Sequence, residues 1–241
     1  MSVSSTTKTP FIRLSETLAS RSKRSAQHIA FLSPSESRPS ALAKPEPYDF
    51  ADCEIKGGLA KGTLIRTPER DVPIESLKVG DLVFTADHGP QEIKWISRVE
   101  QSADGADAPV RIKDGALGNV GDLTVSPDFR VVLQGWRSTK IAGAKEVLTA
   151  AQHLANERDI CRVVAARVTY YHLGFDRHEV ILANSTPVES LHPEIEAQRP
   201  LPDDIRNQLR AAFQKPTRRA MSYGPLTRPE VKPYEARLIR P

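Results

Sequence analysis

The stretch that decides the fold reads Gly57-Gly58-Leu59-Ala60-Lys61-Gly62-Thr63-Leu64-Ile65. From Gly62 onward the chain becomes strand-like, because short apolar and β-branched runs end at Pro, Gly or Asp. Residues 92–99 alternate between apolar and polar side chains, as a half-buried strand does. Many short strands with turn residues between them favour a closed all-β body. The predicted strands cover residues 63–67, 72–74, 82–85, 92–99, 110–112, 123–125, 130–134, 161–171 and 179–183.

Helical spacing of apolar residues occurs in two segments of the chain. Residues 144–154 show the spacing of a buried helix face, which predicts a helix there. Residues 203–213 show a similar period and begin with two aspartates after a proline, as the start of a helix prefers. A short helix over residues 15–30 is a weaker expectation. The apolar positions in the first segment are Val147, Leu148, Ala151 and Leu154.

Composition separates a central folded region from two irregular ends. The 241 residues include 19 prolines, and only 39% are apolar, which is low for a globular protein. Residues 1–51 are rich in Ser, Thr and Pro, so they cannot bury enough apolar surface to offset the entropy of ordering, and we predict a disordered basic segment. Residues 52–195 are predicted to form the folded domain. Residues 196–241 are predicted to form a basic, Pro-rich tail with one short helix, extended beyond Lys215.

Charge is distributed unevenly along the chain. Residues 1–50 carry a net charge of +3, residues 51–198 carry −5 and residues 199–241 carry +6. Basic ends of this kind make weak contacts with an acidic partner, nucleic acid or anionic lipid, or they simply keep a chain soluble. A nucleic-acid or membrane-surface binder that works through these ends is one alternative function. It predicts binding that falls steeply with salt concentration.

The sequence also disfavours several kinds of site and location. No apolar run approaches the roughly 20 residues that a membrane span needs. The N-terminus lacks the continuous apolar stretch of a Sec signal, so we expect a cytoplasmic protein or one secreted without such a signal. Cys53 and Cys161 are too few for a disulfide framework and have no metal-ligand spacing, so neither a metal nor another cofactor is predicted. Cys161, Trp95 and Trp136 are expected in the core.

Four motifs follow one another in a characteristic order. They are Gly62-Thr63, Val79-Gly80-Asp81-Leu82-Val83, Val125-Ser126-Pro127-Asp128-Phe129-Arg130 and His178-Glu179-Val180-Ile181-Leu182-Ala183. This order resembles the Hint domain, the self-processing fold of hedgehog autoprocessing domains and inteins, in its bacterial variety. The resemblance covers roughly residues 59–193. It implies the Hint fold, a pseudo-symmetric horseshoe of short strands with one or two short helices.

In the family that the chain resembles, a Cys four residues before Gly-Thr attacks the carbonyl carbon that precedes it and forms a thioester. A His that follows Ser-Pro-Asp protonates the departing amide nitrogen. Counting from the same anchors gives Gly58 and Phe129 in this chain, whereas Ser126 and Asp128 match the family's turn. The resemblance therefore implies a degenerate site without autocatalytic cleavage. The domain would then act as a folded interaction module for an unknown protein partner.

The end of the motif series also differs from that of inteins. Inteins finish with His-Asn and release the downstream chain by cyclisation of that Asn. The nearest match in this chain is Glu189-Ser190, so cleavage at the C-terminal side is not supported.

An active self-processing protein is a further alternative. Cys53 would then be a displaced nucleophile, served by His172 and His178, or water would drive the cut, and either route would release residues 1–52 or so. Cys53 lies five residues before Gly58, more than about 10 Å along an extended chain, which favours an ordinary linker cysteine. Of the two histidines, His178 is the better functional candidate. The double replacement G58C with F129H is predicted to restore some thioester formation.

Overall fold

The computed structural model describes residues 55, 57–196, 201, 203–213 and 223–241. Predictions for residues 1–51, including a helix at 15–30, and for Cys53 lie outside the described residues. The strands are β1 Leu59–Ala60, β2 Leu64–Arg66, β3 Asp71–Pro73, β4 Leu82–Thr85, β5 Gly89–Glu92, β6 Trp95–Ala103, β7 Val110–Ile112, β8 Leu123–Val125, β9 Arg130–Gln134, β10 Glu146–Ala150, β11 Ile160–Arg162, β12 Ala165–Gly174, β13 Val180–Ala183 and β14 Thr186–Glu189. The α-helices are α1 Trp136–Ala142, α2 Pro193–Glu196, α3 Asp203–Phe213 and α4 Pro233–Ile239.

Two antiparallel sheets carry the core. One has the strand order β11-β7-β8-β1-β12-β6, and the other has the order β10-β9-β14-β13-β2-β3, with β4 and β5 attached to β13. Residues from both sheets share one buried apolar cluster, in which Leu59 and Val125 come from the first sheet and Ile65 and Val131 from the second. The prediction of an all-β fold with few short helices is confirmed.

The helix predicted over residues 144–154 is wrong. These residues form β10 and a short 3-10 turn, Ala151–Leu154. The apolar run is buried on both faces of a strand: Val147 faces the main core, while Leu148 packs on the opposite side of the sheet. A continuous apolar run in a doubly buried strand has no period of two, so it imitates a buried helix segment. The helix of this region is α1, which ends at Gly143 in the left-handed conformation with φ of 69°.

The two C-terminal segments behave differently from each other. The helix predicted at residues 203–213 is confirmed as α3, whose buried residues pack beside Trp95. The expectation of an extended tail beyond Lys215 is corrected for α4, because Val231, Ala236 and Ile239 belong to the main core. This helix has only seven residues and begins with a proline, so it is too short to show a clear helical period in the sequence. None of the helices in the described part of the chain has the length and apolar character that a membrane span needs.

Three side chains were expected in the core. Trp95 is there, with 2% of its surface exposed. Trp136 is 69% exposed, so its expected burial is wrong, because it stands at the first position of α1 on the outside of the sheet. Cys161 lies on a strand as predicted, but it is only half-buried since β11 is the edge strand of its sheet.

Candidate functional site

The first strand of the domain is tied to the Ser-Pro-Asp turn by two hydrogen bonds. The Gly58 N–H donates to Ser126 Oγ at 2.9 Å, and the Ser126 N–H donates to the Gly58 carbonyl oxygen at 3.0 Å. The register that produces this contact pairs Leu59 with Val125, between β1 and β8. Two positions that the motif count linked across 68 residues of sequence are therefore in direct contact.

Gly58 has no room for a side chain. Its φ is +119°, a conformation that residues with a β-carbon rarely adopt. A β-carbon there would lie 2.4 Å from the Tyr171 carbonyl oxygen and 3.2 Å from His172 Nε2. The strand β12 comes this close because Leu59 pairs with Tyr171 in the sheet. The backbone of β12 therefore occupies the volume into which a nucleophilic side chain would extend.

Gly57 is held in a similar way, although no sequence motif marks it. Its φ is +88°, and a β-carbon there would lie 2.4 Å from Ser126 Oγ. The Gly57 N–H donates to Gln101 Oε1 at 3.0 Å. Gly57 and Gly58 are thus consecutive glycines that their surroundings require.

Phe129 and His172 complete this group. Phe129 is 5% exposed and belongs to the main core, and its ring centroid lies 6.2 Å from that of His172. The benzyl ring has no proton to transfer, so His172 is the imidazole that the structure places beside Gly58. We refer to Gly57, Gly58, Ser126, Phe129 and His172 as the Gly58 corner.

The other predicted site residues lie elsewhere or have other partners. Asp128 is exposed and accepts a hydrogen bond from the Gln152 side-chain amide at 2.6 Å. His178, the histidine preferred from the sequence, contacts neither Gly58 nor Ser126. It is 2% exposed, and its Nε2 lies 3.5 Å from Glu189 Oε2. The structure thus brings His172, and not His178, to the position that motif counting identified.

His178 belongs to a second buried polar group that sequence reasoning missed. Its ring centroid lies 5.2 Å from that of His192, and Glu189 receives the Arg130 guanidinium at 3.0 Å. Burial lowers the pKa of His192, against the opposing effect of a hydrogen bond to the Gly224 carbonyl. We refer to Arg130, His178, Glu189 and His192 as the His178 cluster. The sequence motifs contain Arg130 and His178, and Glu189 belongs to the nearest match to the intein ending, but no sequence signal places these residues beside His192.

In the described part of the chain, no three or more His, Cys, Asp or Glu side chains are arranged to hold a metal ion. A cavity with a volume of about 400 Å³ lies beside Trp136. It is lined by the loop of residues 115–118, the end of β9 and the C-terminal residues Ile239 and Pro241.

A family model described as a Hint domain matches residues 58–195, more than half of the chain, and the match begins at Gly58. The chain belongs to the Hint domain family. Its Hint domain is similar to the MchDnaB-1 intein, with 15% identity over 54% of this chain and 98% of that chain and a TM-score of 0.38. It is also similar to a bacterial intein-like domain from Clostridium thermocellum, with 14% identity, coverage of 55% and 97%, and a TM-score of 0.39. No curated protein is significantly similar to the chain.

The family match ends at residue 195, whereas the structure continues the Hint domain with later residues. Val231, Ala236 and Ile239 of the C-terminal segment lie in the same core cluster as the two sheets. Residues 223–241 are therefore an addition that this chain packs onto the part it shares with the family.

Proposed function

We propose that this Hint domain does not cleave its own chain at the family's position and instead acts as a folded module that binds a protein partner. The conformation of Gly58 is the observation that carries the proposal. A mutated nucleophile in an open site would leave space for the lost side chain. Here the Tyr171 carbonyl oxygen stands 2.4 Å from the place of a β-carbon, so the backbone itself is arranged around glycine.

The chemistry of acyl shift supports the same conclusion. It needs a nucleophile, a proton donor for the departing nitrogen and an activated carbonyl group. Gly58 supplies no nucleophile, and Phe129 cannot donate a proton. The remaining hydroxyl, Ser126 Oγ, accepts the Gly58 N–H at 2.9 Å, which holds it near the plane of that amide. Attack on a carbonyl carbon begins above that plane, so this hydroxyl is engaged in binding the backbone.

The exposed face of α1 supports the role as a module. Trp136 is 69% exposed, and the charged ends of Arg137 and Lys140 lie 5.5 Å and 6.0 Å from its ring centroid. Exposed tryptophan and arginine are enriched where proteins bind each other tightly. Two cations beside the indole favour an acidic partner, in agreement with the basic ends of the chain.

Intact mass after long incubation tests the loss of cleavage. The full chain, tagged at both ends, is kept with and without hydroxylamine, which traps thioesters and esters. We expect one intact species in both samples. The S126A and H172A variants should behave identically to the wild-type chain. Fragments that end at Gly57 or begin at Gly58 in the wild-type sample would overturn the proposal.

Self-processing that uses Cys53 with His172 or His178, or a water-driven cut, is the second candidate. The observation that favours it is the place of His172, whose Nε2 lies 3.2 Å from the β-carbon position of Gly58. An imidazole there is near the amide nitrogen that a cut would release. The same mass measurement on C53A, H172A and H178A decides this candidate. It requires fragments from the wild-type chain that C53A or H172A no longer produces.

A further inference from the structure

Residues 223–231 cross the outer side of the second sheet, and we call them the C-terminal strap. The strap ends by joining the edge of β10: the Leu148 N–H donates to the Pro229 carbonyl at 2.9 Å, and the Val231 N–H donates to the Leu148 carbonyl at 3.0 Å. Leu226 of the strap packs on an apolar cluster of this outer face. That cluster consists of Val132, Leu148 and Val180.

Two buried histidines hold the middle of the strap. The Thr227 N–H donates to His178 Nδ1 at 3.1 Å, so this nitrogen must carry a lone pair and no proton. His192 Nε2 lies 3.0 Å from the Gly224 carbonyl oxygen, which can only accept, so this nitrogen carries the proton. The strap therefore fixes one nitrogen of each ring: Nδ1 of His178 as an acceptor and Nε2 of His192 as a donor.

The charged groups around the two rings fall into two sets. Glu189 lies 3.5 Å from His178, and its charge is balanced by Arg130. Both groups belong to the sheet, but Arg130 also pairs with Glu230 of the strap at 3.1 Å, so this ion pair is lost when the strap detaches. The second set consists of charged groups on the strap, which lie near the cluster only while the strap is bound. The remaining charged or titratable groups that face the cluster, its loop and the strap are Arg177, Glu179 and His88 beside β13, Glu194 of α2, Tyr223, Arg228 and Glu230 of the strap, and the Arg228 partners Asp87 and Glu146.

We propose that the C-terminal strap is an acid-released latch, held closed by neutral His178 and opened when this ring takes up a proton on Nδ1. The new N–H would point at the Thr227 N–H at 3.1 Å, so this contact becomes repulsive, and the Thr227 hydroxyl at 3.4 Å is a longer-range acceptor that does not replace it. His192 acts in the same direction, because a second proton on this ring would place two buried cations at a centroid distance of 5.2 Å. Release uncovers the edge of β10 and the apolar cluster beneath Leu226.

The direction of the pH dependence follows from the neutral form that the closed strap requires. The pKa of His192 is lowered, mainly by burial. A histidine with a lowered pKa stabilises the closed state fully above its ordinary pKa of about 6.5, and this contribution is lost as the pH falls below that value. The pKa of Asp87 is also lowered, by its hydrogen bond from Arg228. That pair remains intact until more acidic pH, so between about pH 7.5 and pH 5.5 His192 changes before it.

Hydrogen exchange read by mass spectrometry tests the latch on the full chain. After correction for intrinsic exchange rates, we expect protection of residues 223–231 to fall about tenfold or more between pH 7.5 and pH 5.5, one pKa unit of preference being tenfold. Protection of β12 and β6 should stay unchanged. Equal strap protection at the two pH values, or a parallel loss in β12 and β6, would overturn the proposal.

A matched double variant sharpens this test. In H178N an amide oxygen replaces the acceptor Nδ1, and in H192Q an amide nitrogen replaces the donor Nε2, so both contacts are kept without a titratable group. The H178N/H192Q chain should keep a protected strap at both pH values. The same pH dependence in this variant as in the wild-type chain would contradict the histidine trigger. The wild-type comparison stands on its own if the variant does not fold.

Discussion

The Gly58 corner and the His178 cluster are both buried, but they are filled in opposite ways. At the Gly58 corner, the Tyr171 carbonyl and the Phe129 ring fill the space around Gly58 and His172. At the His178 cluster, two imidazoles, a carboxylate and a guanidinium lie together under a segment beyond the family match. Four ionisable side chains thus lie together in the His178 cluster, whereas at the Gly58 corner His172 lies among backbone groups, a hydroxyl and a benzyl ring.

The two regions also depend on different forces. Tight backbone contact at the Gly58 corner makes it sensitive to volume, since even one added carbon overlaps a carbonyl oxygen. Charge pairing dominates the His178 cluster, which makes it sensitive to the loss of a partner and to pH. Replacement of one residue in each region, beside a matched control elsewhere, therefore separates the two.

The largest effect is expected for G58A. The methyl group meets the Tyr171 carbonyl and the backbone leaves its preferred conformation, so we expect a loss of about 3 to 4 kcal/mol in the free energy of unfolding. Urea denaturation measures it. G62A is the control, because Gly62 likewise has a positive φ, of +88°, but a β-carbon there meets nothing within 4 Å. Its expected loss is about 1 to 2 kcal/mol. Equal losses would show that the close approach of β12 is not decisive.

This expectation also corrects the predicted effect of G58C with F129H. A cysteine at position 58 would place its β-carbon in the same overlap, so the thiol cannot be seated without a shift of β12. We now expect destabilisation in place of restored thioester formation. Intact mass with hydroxylamine, together with urea denaturation of the same variant, distinguishes the two outcomes.

The next effect concerns the buried ion pair of the His178 cluster. Glu189 is buried, with 7% of its surface exposed, and R130M removes the guanidinium partner of its carboxylate. We expect a loss of about 2 to 3 kcal/mol, because removal of one partner leaves a charge unpaired in the interior. R66M is the control: its pair with Asp71 is exposed, so the loss should be clearly smaller than for R130M. Similar losses for the two variants would mean that the cluster is open to water.

A smaller effect is expected from pH. The lowered pKa of His192, caused mainly by burial, makes folding more favourable above the ordinary histidine pKa and less favourable below it. Urea denaturation of the wild-type chain should therefore give a lower free energy of unfolding at pH 5.5 than at pH 7.5. H192Q should show a weaker pH dependence between these values. An unchanged dependence in H192Q would assign the effect to other groups.

The smallest effect on stability is expected for W136A. Because the indole is 69% exposed, its removal should change the free energy of unfolding by less than about 0.5 kcal/mol. Binding to a partner should be lost in the same variant if α1 forms the contact surface. V164A is a useful comparison, since Val164 is 80% exposed and has no neighbouring cation pair around an aromatic ring. Unchanged partner binding in W136A would show that the contact surface does not include Trp136.

Motif spacing predicted which distant residues meet, but not what surrounds them. Counting from Gly62 and Ser126 identified Gly58 and its partner turn, and the structure places them in hydrogen-bond contact. The Tyr171 carbonyl has no sequence signal, because any residue type offers the same oxygen. Only the pairing of β1 with β12 brings it there. The same register explains why His172 reaches the Gly58 corner while His178 does not.

Secondary structure was predictable where local signals agreed with burial. The helix α3 has charged residues at its start and one apolar face, and it was found. The strand β10 and the helix α4 were missed, because their apolar residues serve contacts on both faces or lie between prolines. The secondary structure of these segments depends on contacts with residues far away in the chain, and local periodicity carries no information about those contacts.

The placement of α4 has a practical consequence for anyone who isolates the domain. A fragment trimmed to the family boundaries, residues 58–195, would lack the side chains of Ala236 and Ile239 that fill the centre of the protein. It would then expose apolar surface that is buried in the full chain, and it would tend to aggregate. The smallest piece of this chain that folds cleanly should therefore reach at least to residue 239.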